Sequence, residues 1–367
     1  MSSNSKGHSA SSERPHLFSE LKIREVMLRN RIGVSPMCQY SSVGGYANDW
    51  HFVHLGSRAV GGAGLILTEA AAVLPEGRIT PDDLGIWEDG HVEFLSRIFK
   101  FIEAQGAVPG MQLAHAGRKA STSSPWKGNA AIGEDKGGWT PIFAPSALAF
   151  DKESAVPVEV TKGEIQRITK AFADAAVRCL NAGGKVAEIH AAHGYLIHEF
   201  LSPLSNHRTD EYGGPLENRM RLLCEVCEAV RGVWPEKYPL FVRISATDWT
   251  EGGWTGEDSV ELAKKLKTLG VDAMDCSSGA NVAGAKIPLG AGYQLPFADQ
   301  VRNEAGILTA TVGMITAPEQ ADQIVRNGQA DMVFMAREFL RDPYWPLHAA
   351  RKLRKELGAP VQYGRAF

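Results

Sequence analysis

Along the chain, short runs of apolar and β-branched residues alternate with longer segments whose apolar residues recur every three or four positions. The short runs fall at 31–37, 64–68, 110–114, 186–190, 240–245, 273–276, 308–312 and 332–335. Continuous apolar runs of this length, bounded by turn formers, predict strands buried on both faces. The segments between them predict amphipathic helices, for example over 162–182, 216–233, 258–269 and 318–327. In the first of these, Ile165, Ile168, Phe172, Ala175, Ala176 and Cys179 share one face. Gly183, Gly270 and Gly328 sit where three of the helices must stop, and glycine favours the left-handed conformation that ends a helix. Eight strand–helix units in succession predict an α/β fold, a closed parallel (β/α)8 TIM barrel. The competing arrangement is an open doubly wound sheet. No glycine-rich dinucleotide fingerprint follows the first predicted strand, which counts against it.

Two stretches depart from the alternation. The segment 117–160 carries turn formers, prolines, Trp126 and Trp139. A connection that long is usually functional or has small strands of its own, so we read it as a lid or hairpin cap after strand three. Residues 1–14 are polar and Ser-rich and read as a disordered extension. The rest, 15–367, reads as one barrel domain ending in a short tail, 361–367.

Composition narrows the partners. The formal net charge is −3, so no global field recruits nucleic acid or an anionic membrane. No apolar run approaches the roughly 20 residues of a membrane span. Cys38, Cys179, Cys224, Cys227 and Cys276 are sparse and odd in number, which suggests free thiols in a reducing, cytoplasmic setting. Cys224 and Cys227 lie within an amphipathic helical pattern, where core packing explains them better than redox chemistry. The basic tract 351–355 reads as a solvated helix face.

In a barrel of this kind the chemistry sits at the C-terminal ends of the strands. Those ends carry Ser35-Pro36-Met37-Cys38-Gln39-Tyr40, Thr68-Glu69-Ala70, Gln112 to His115, His190-Ala191-Ala192-His193-Gly194-Tyr195, Arg243, Cys276-Ser277-Ser278-Gly279, Gly313-Met314 and Ala336-Arg337. His190 and His193 can both donate to one ligand oxygen while Tyr195 supplies a proton nearby, a trio suited to polarising a carbonyl and protonating the adjacent carbon. On the motif alone two other readings stay open: rim hydrogen bonding, and metal binding, although no carboxylate or cysteine completes a ligand set. Gly313 and Arg337 close the last two strands, where phosphate commonly binds; an ordinary turn glycine and a surface arginine are the alternative. Cys38, taken alone, is better explained by packing.

At these same strand ends the sequence resembles the old yellow enzyme family, and within it the bacterial thermophilic-like branch that includes the xenobiotic reductases. The matching stretches include Pro36-Met37-Cys38-Gln39-Tyr40, Pro75-Glu76-Gly77-Arg78-Ile79-Thr80, Gln112 through Lys119, Glu188-Ile189-His190 through Asn218-Arg219, Asp275 through Gly279, Val312-Gly313-Met314 and Arg337-Glu338. They run in order from about Leu17 to the C-terminus.

The resemblance implies non-covalent FMN over the barrel mouth, reduced by NADPH. Pro36, Met37, Cys38, Ala70, Gln112 and Arg243 would line the flavin ring. Gly313, Ala336 and Arg337 would hold its phosphate, Ala336 standing where the family usually has glycine. Cys38 would tune the flavin, and His190 and His193 would bind the substrate oxygen. Tyr195 would be the general acid, and Tyr40 would line the substrate pocket. Arg365, in the tail, would reach into a neighbouring subunit's site in a homodimer or homotetramer. The implied activity is ping-pong reduction of activated C=C bonds in enones or nitroalkenes. Two alternatives remain at this point: a flavin-free barrel lyase or isomerase using His190 and Tyr195, and a non-catalytic flavin sensor built on Cys38.

Overall fold

A computed structural model of the chain describes residues 15–367; the extension expected over 1–14 lies outside the described residues. Eight strands form the barrel: β1 (Ile32–Val34), β2 (Leu65–Ala72), β3 (Val108–Ala114), β4 (Val186–Ala191), β5 (Leu240–Ser245), β6 (Ala273–Ser277), β7 (Leu308–Thr311) and β8 (Met332–Met335). Each pairs in parallel with its chain neighbours, and β8 pairs with β1 to close the ring. Closure excludes the open sheet.

Helices α1 (Asp49–Val60), α2 (Val92–Ala104), α3 (Lys162–Asn181), α4 (Leu196–Leu201), α5 (Leu216–Val233), α6 (Gly256–Thr268), α7 (Leu295–Ala305), α8 (Pro318–Arg326), α9 (Arg337–Arg341) and α10 (Trp345–Lys352) complete the fold. The local chemistry explains their limits. Thr161 caps α3 by accepting from Glu164 N, and Thr255 with Asp258 forms a reciprocal capping box on α6, each satisfying N–H groups left free by the first turn. Gly183, Gly270 and Gly328 follow α3, α6 and α8 at positive φ. On α3 the six predicted face residues are all buried. Cys227 is buried and Cys224 half-buried on α5, and both are free thiols.

The strand expected over 31–37 is shorter. Pro36 has no N–H to give a ladder, so after Ser35 N donates to Met335 O (2.9 Å) the chain leaves the sheet and enters the mouth. Strand two is longer than expected, because a register shift between Leu67 and Ala70 against β3 lets it continue to Ala72. An antiparallel pair, Leu21–Ile23 with Val26–Leu28, precedes the barrel. Its buried Leu21, Ile23, Val26 and Leu28 pack with Leu65, Val108, Val186 and Phe241, residues at or near the starts of their strands. This hairpin therefore stoppers the N-terminal end, and the C-terminal end is the mouth.

In the segment 117–160, Phe143–Ala144 and Val158–Glu159 pair in parallel, not as a hairpin. Its Ala120 and Ile142 bury with Ile79 and Ala116 against Cys38, Tyr40, Trp139 and Tyr195, so this part of the segment packs against residues at the mouth.

Candidate active site

A cavity of about 420 Å³ opens at the ends of β5 to β8, lined by Arg243, Ser277, Gln294, Gly313, Ala336 and Arg337, among others. Gly313 has φ +126° and Met314 φ +53°. A Cβ on Gly313 would stand 2.9 Å from Gln294 Nε2 and 3.1 Å from Tyr293 Cε1, so only glycine fits there without strain. Ala336, standing where the family usually has glycine, has φ −107°, outside the left-handed region that favours glycine. The Arg337 side chain is exposed and makes neither a hydrogen bond nor an ion pair among the described residues, whereas Arg341 pairs with Glu338. A free guanidinium beside a cradle that admits no side chain suits a phosphate.

Below the cavity a polar network fills the barrel. Arg243 Nη1 donates to Ser35 Oγ (2.7 Å), and its Nε lies 3.3 Å from Asp275 Oδ2. Gln112 Nε2 donates to Glu188 Oε1 (2.8 Å). Glu188 and Asp275 are fully buried. Desolvation pushes both carboxyls up, with Arg243 opposing the shift in each. Ser35, Glu188 and Asp275 were given no role in the sequence reading. Glu188 carried one usable signal: it stands two residues before His190 on β4, so it shares the inward face.

The turn after β1 is held by the irregularity in β2. There Glu69 Oε2 accepts from Gln39 N (2.8 Å), while its Oε1 lies 3.2 Å from His51 Nε2. Tyr40 is thereby kept at φ +47°, an unusual conformation for a non-glycine residue and one that marks functional turns. Pro36, Met37, Cys38 and Tyr40 are half-buried here. Cys38 has its thiol pushed well up by burial, then by Asp83 and Glu69, so it is a neutral SH rather than a thiolate. Ala70 lines a much smaller void with Asp83 and Tyr195. Asp83, missed by sequence reading, is raised to about 7, chiefly by burial.

The His190–His193–Tyr195 trio is brought together as predicted. The ring centroids of His190 lie 5.1 Å from His193 and 5.2 Å from Tyr195, both edge-on. His193 (φ +60°) and Gly194 (φ +67°) turn the chain sharply. His193 N donates to Ser245 Oγ (2.9 Å), and Gly194 N donates to His198 Nδ1 (2.9 Å). His193 Nε2 lies 2.7 Å from Ser277 Oγ, while His190 Nδ1 is buried without a partner. Burial, and then the Arg243 guanidinium, hold both imidazoles well below their ordinary range. The pair is therefore neutral. Burial pushes the Tyr195 phenol well up, so it keeps its proton.

Lys119, absent from the predicted set, donates from Nζ to His193 O (2.9 Å) and to Ala280 O, and lies 5.6 Å from the Tyr195 ring centroid. Burial lowers it to about 8. Arg365 is not brought to the mouth within this chain. The tail is exposed beside α10, with Tyr363 against Tyr344 and Phe367 against His348.

Comparison with known proteins gives this arrangement a family. The model of the NADH:flavin oxidoreductase / NADH oxidase family matches residues 16–356. The chain is 49% identical over 353 residues to an NADPH dehydrogenase of Bacillus subtilis (strain 168), covering 96% of this chain and 99% of that one. It is equally similar to an NADPH dehydrogenase of Geobacillus thermodenitrificans (strain NG80-2), 49% identical with 96% and 98% covered. Among solved structures, morphinone reductase superposes with a TM-score of 0.79 at 25% identity, covering 95% of this chain and 92% of that one. A 2-naphthoyl-CoA reductase complex superposes at 0.83 and 28% identity, with 92% and 52% covered. These matches set aside the flavin-free lyase and the non-catalytic sensor. The chain belongs to the NADH:flavin oxidoreductase / NADH oxidase family, the old yellow enzyme family, and is an FMN-dependent oxidoreductase.

Proposed function

We propose that this protein is an ene-reductase that takes hydride from NADPH and delivers it to the C=C bond of an α,β-unsaturated carbonyl or nitro compound, in two separate half-reactions. The observation that carries the reading is the trio at the end of β4: two neutral imidazoles and a protonated phenol packed edge to edge. Arg337 with Gly313 and Ala336 would hold the FMN phosphate. Arg243, Gln112, Ala70 and the Pro36–Met37–Cys38 turn would face its ring. FMN so bound supplies the two-electron chemistry that no side chain can perform.

The remaining work falls to the chain's own residues. His190 and His193 donate N–H to the substrate oxygen and draw electron density from the conjugated system, which makes the β-carbon electrophilic. Because both are neutral, they polarise the oxygen without protonating it. Tyr195 Oη–H gives its proton to the α-carbon as the hydride arrives at the β-carbon, so one H⁻ and one H⁺ saturate the bond. Lys119 offsets the phenolate charge that this leaves. Tyr40 and the lid over 117–160 exclude water and hold the substrate, which supplies proximity.

We further propose that the chain works as a homodimer or homotetramer in which Arg365 completes a neighbouring site. Its free cysteines suit the cytoplasm, and among the described residues no helix is long and apolar enough to cross a membrane. Anaerobic oxidation of NADPH by the purified holoenzyme, with and without 2-cyclohexenone, tests the activity. Enone-dependent turnover yielding the saturated ketone is expected; oxidation that ignores the enone would overturn it.

A further inference from the structure

Among the described residues, Glu188, Asp275 and Arg243 bring two fully buried carboxylates and one guanidinium together inside the barrel. Arg243 serves Asp275 at 3.3 Å and Ser35 at 2.7 Å. Glu188 receives only the Gln112 amide on Oε1, and its Oε2 is buried with no partner at all. The groups facing Glu188 from neighbouring elements are Gln112 on β3, Arg243 on β5 and Asp275 on β6, with neutral His190 on its own strand. If both acids were ionised, the pocket would carry one uncompensated buried negative charge. Such a charge is expensive, and a buried acid normally avoids it by keeping its proton.

Arg243 already neutralises Asp275, so the proton belongs on Glu188. The residues that touch Glu188 and Asp275 are the two expected at the flavin ring: Gln112 bonds Glu188, and Arg243 pairs with Asp275. An added negative charge at the ring would therefore raise the demand for that proton.

We propose that Glu188 is a redox-linked proton acceptor: in alkaline solution, where it has lost its proton in the oxidised enzyme, the negative charge gained by the bound flavin on reduction draws one proton from solvent onto Oε2 and keeps the buried site charge-balanced. No bond forms to the cofactor, and the electrons stay on the flavin. Glu188 acts through Gln112 and Arg243 as a tuning residue that does not touch substrate. The inference rests on FMN occupying this mouth, as the family requires, and not on ene-reduction being the overall reaction. The upward displacement of Glu188 to about 8 places the effect above that pH.

The test is the midpoint potential of the holoenzyme measured against pH with redox dyes, which needs neither NADPH nor an enone. Adding a hydride equivalent draws one proton per electron pair, and a second proton taken by Glu188 doubles the slope. In the wild type the line should steepen, up to about twofold, over a window beginning near pH 8. Glu188→Gln, made in a Lys119→Met background so that the lysine near pH 8 adds no step of its own, has the same shape and no titratable proton and should give one slope throughout. Asp275→Asn removes the like charge and should move the steep window to lower pH, which keeps the idea testable if the Gln variant loses flavin. A wild-type line of constant slope overturns the proposal, as does a steep window retained in Glu188→Gln or unmoved in Asp275→Asn. An enzyme that fails to reduce enones yet shows the window would sink the proposed activity and leave this inference standing.

Discussion

Truncating Arg337 to alanine should weaken FMN binding while leaving the apoprotein as stable as before. The guanidinium is exposed, lines the cavity, and pairs with nothing else among the described residues, so the substitution removes no contact of the folded chain. Exposed changes of this kind usually stay within about 0.5 kcal/mol of the parent. What is lost is a charge-assisted contact to phosphate, worth about 2–3 kcal/mol. At about 1.4 kcal/mol per factor of ten, this is a rise in Kd of about 30- to 150-fold. Arg341 lines the same cavity but is held by Glu338, so it should not compensate fully. Flavin-stripped protein titrated with FMN, followed by quenching of flavin fluorescence, gives Kd; thermal unfolding of the stripped protein gives stability. A Kd within about threefold of wild type would refute the phosphate assignment. An apoprotein melting several degrees lower would show that Arg337 is structural.

Other outcomes follow from the same geometry. Because burial and Arg243 hold His190 and His193 well below their ordinary range, both imidazoles should stay neutral between pH 6 and 8 when the oxidised holoenzyme is followed by NMR of the ring nitrogens. A titration near the ordinary histidine value of about 6.5 would contradict neutral imidazoles. Lys119 is a base lowered to about 8, charged below that pH and neutral above it. The alkene half-reaction should therefore slow as pH rises through 8, and Lys119→Met should be slower and lack that step; an identical profile in the variant would remove Lys119 from the mechanism. Cys38 is a neutral thiol, so Cys38→Ser should shift the flavin potential yet stay active, and total inactivity with flavin bound would point to covalent chemistry. Deleting residues 361–367 should loosen the oligomer and raise the apparent KM while FMN stays bound; a monomeric wild type with a fully active truncation would exclude the role given to Arg365.

Much of the fold was legible because the physics is local. The run 240–245 is β5 and 332–335 is β8, since a short apolar stretch between turn formers has few other stable states. The face of α3 emerged from its period alone. The hairpin Leu21–Ile23/Val26–Leu28 escaped notice because three-residue strands show too little alternation, and its burial depends on the barrel floor. The extension of β2 depends on a register shift against β3, which no single strand encodes.

Within the site, His190, His193 and Tyr195 could be read because a six-residue span carries all three. Glu188, Arg243 and Asp275 could not be read as a unit, since they meet only when β4, β5 and β6 lie side by side. Taken singly, a charged residue in an apolar strand looks like an interruption. Lys119 and Asp83 likewise gain their meaning from burial, which sequence spacing does not report.

The central claim is that Tyr195 supplies the proton in a reaction whose hydride steps are separate. Stopped-flow measurement of the two half-reactions in Tyr195→Phe tests it most directly. Flavin reduction by NADPH should proceed within about twofold of wild type, while reoxidation by an enone should slow by about 10²-fold or more, the usual worth of a positioned general acid. Equal slowing of both halves, or an unchanged alkene half-reaction, would contradict the account.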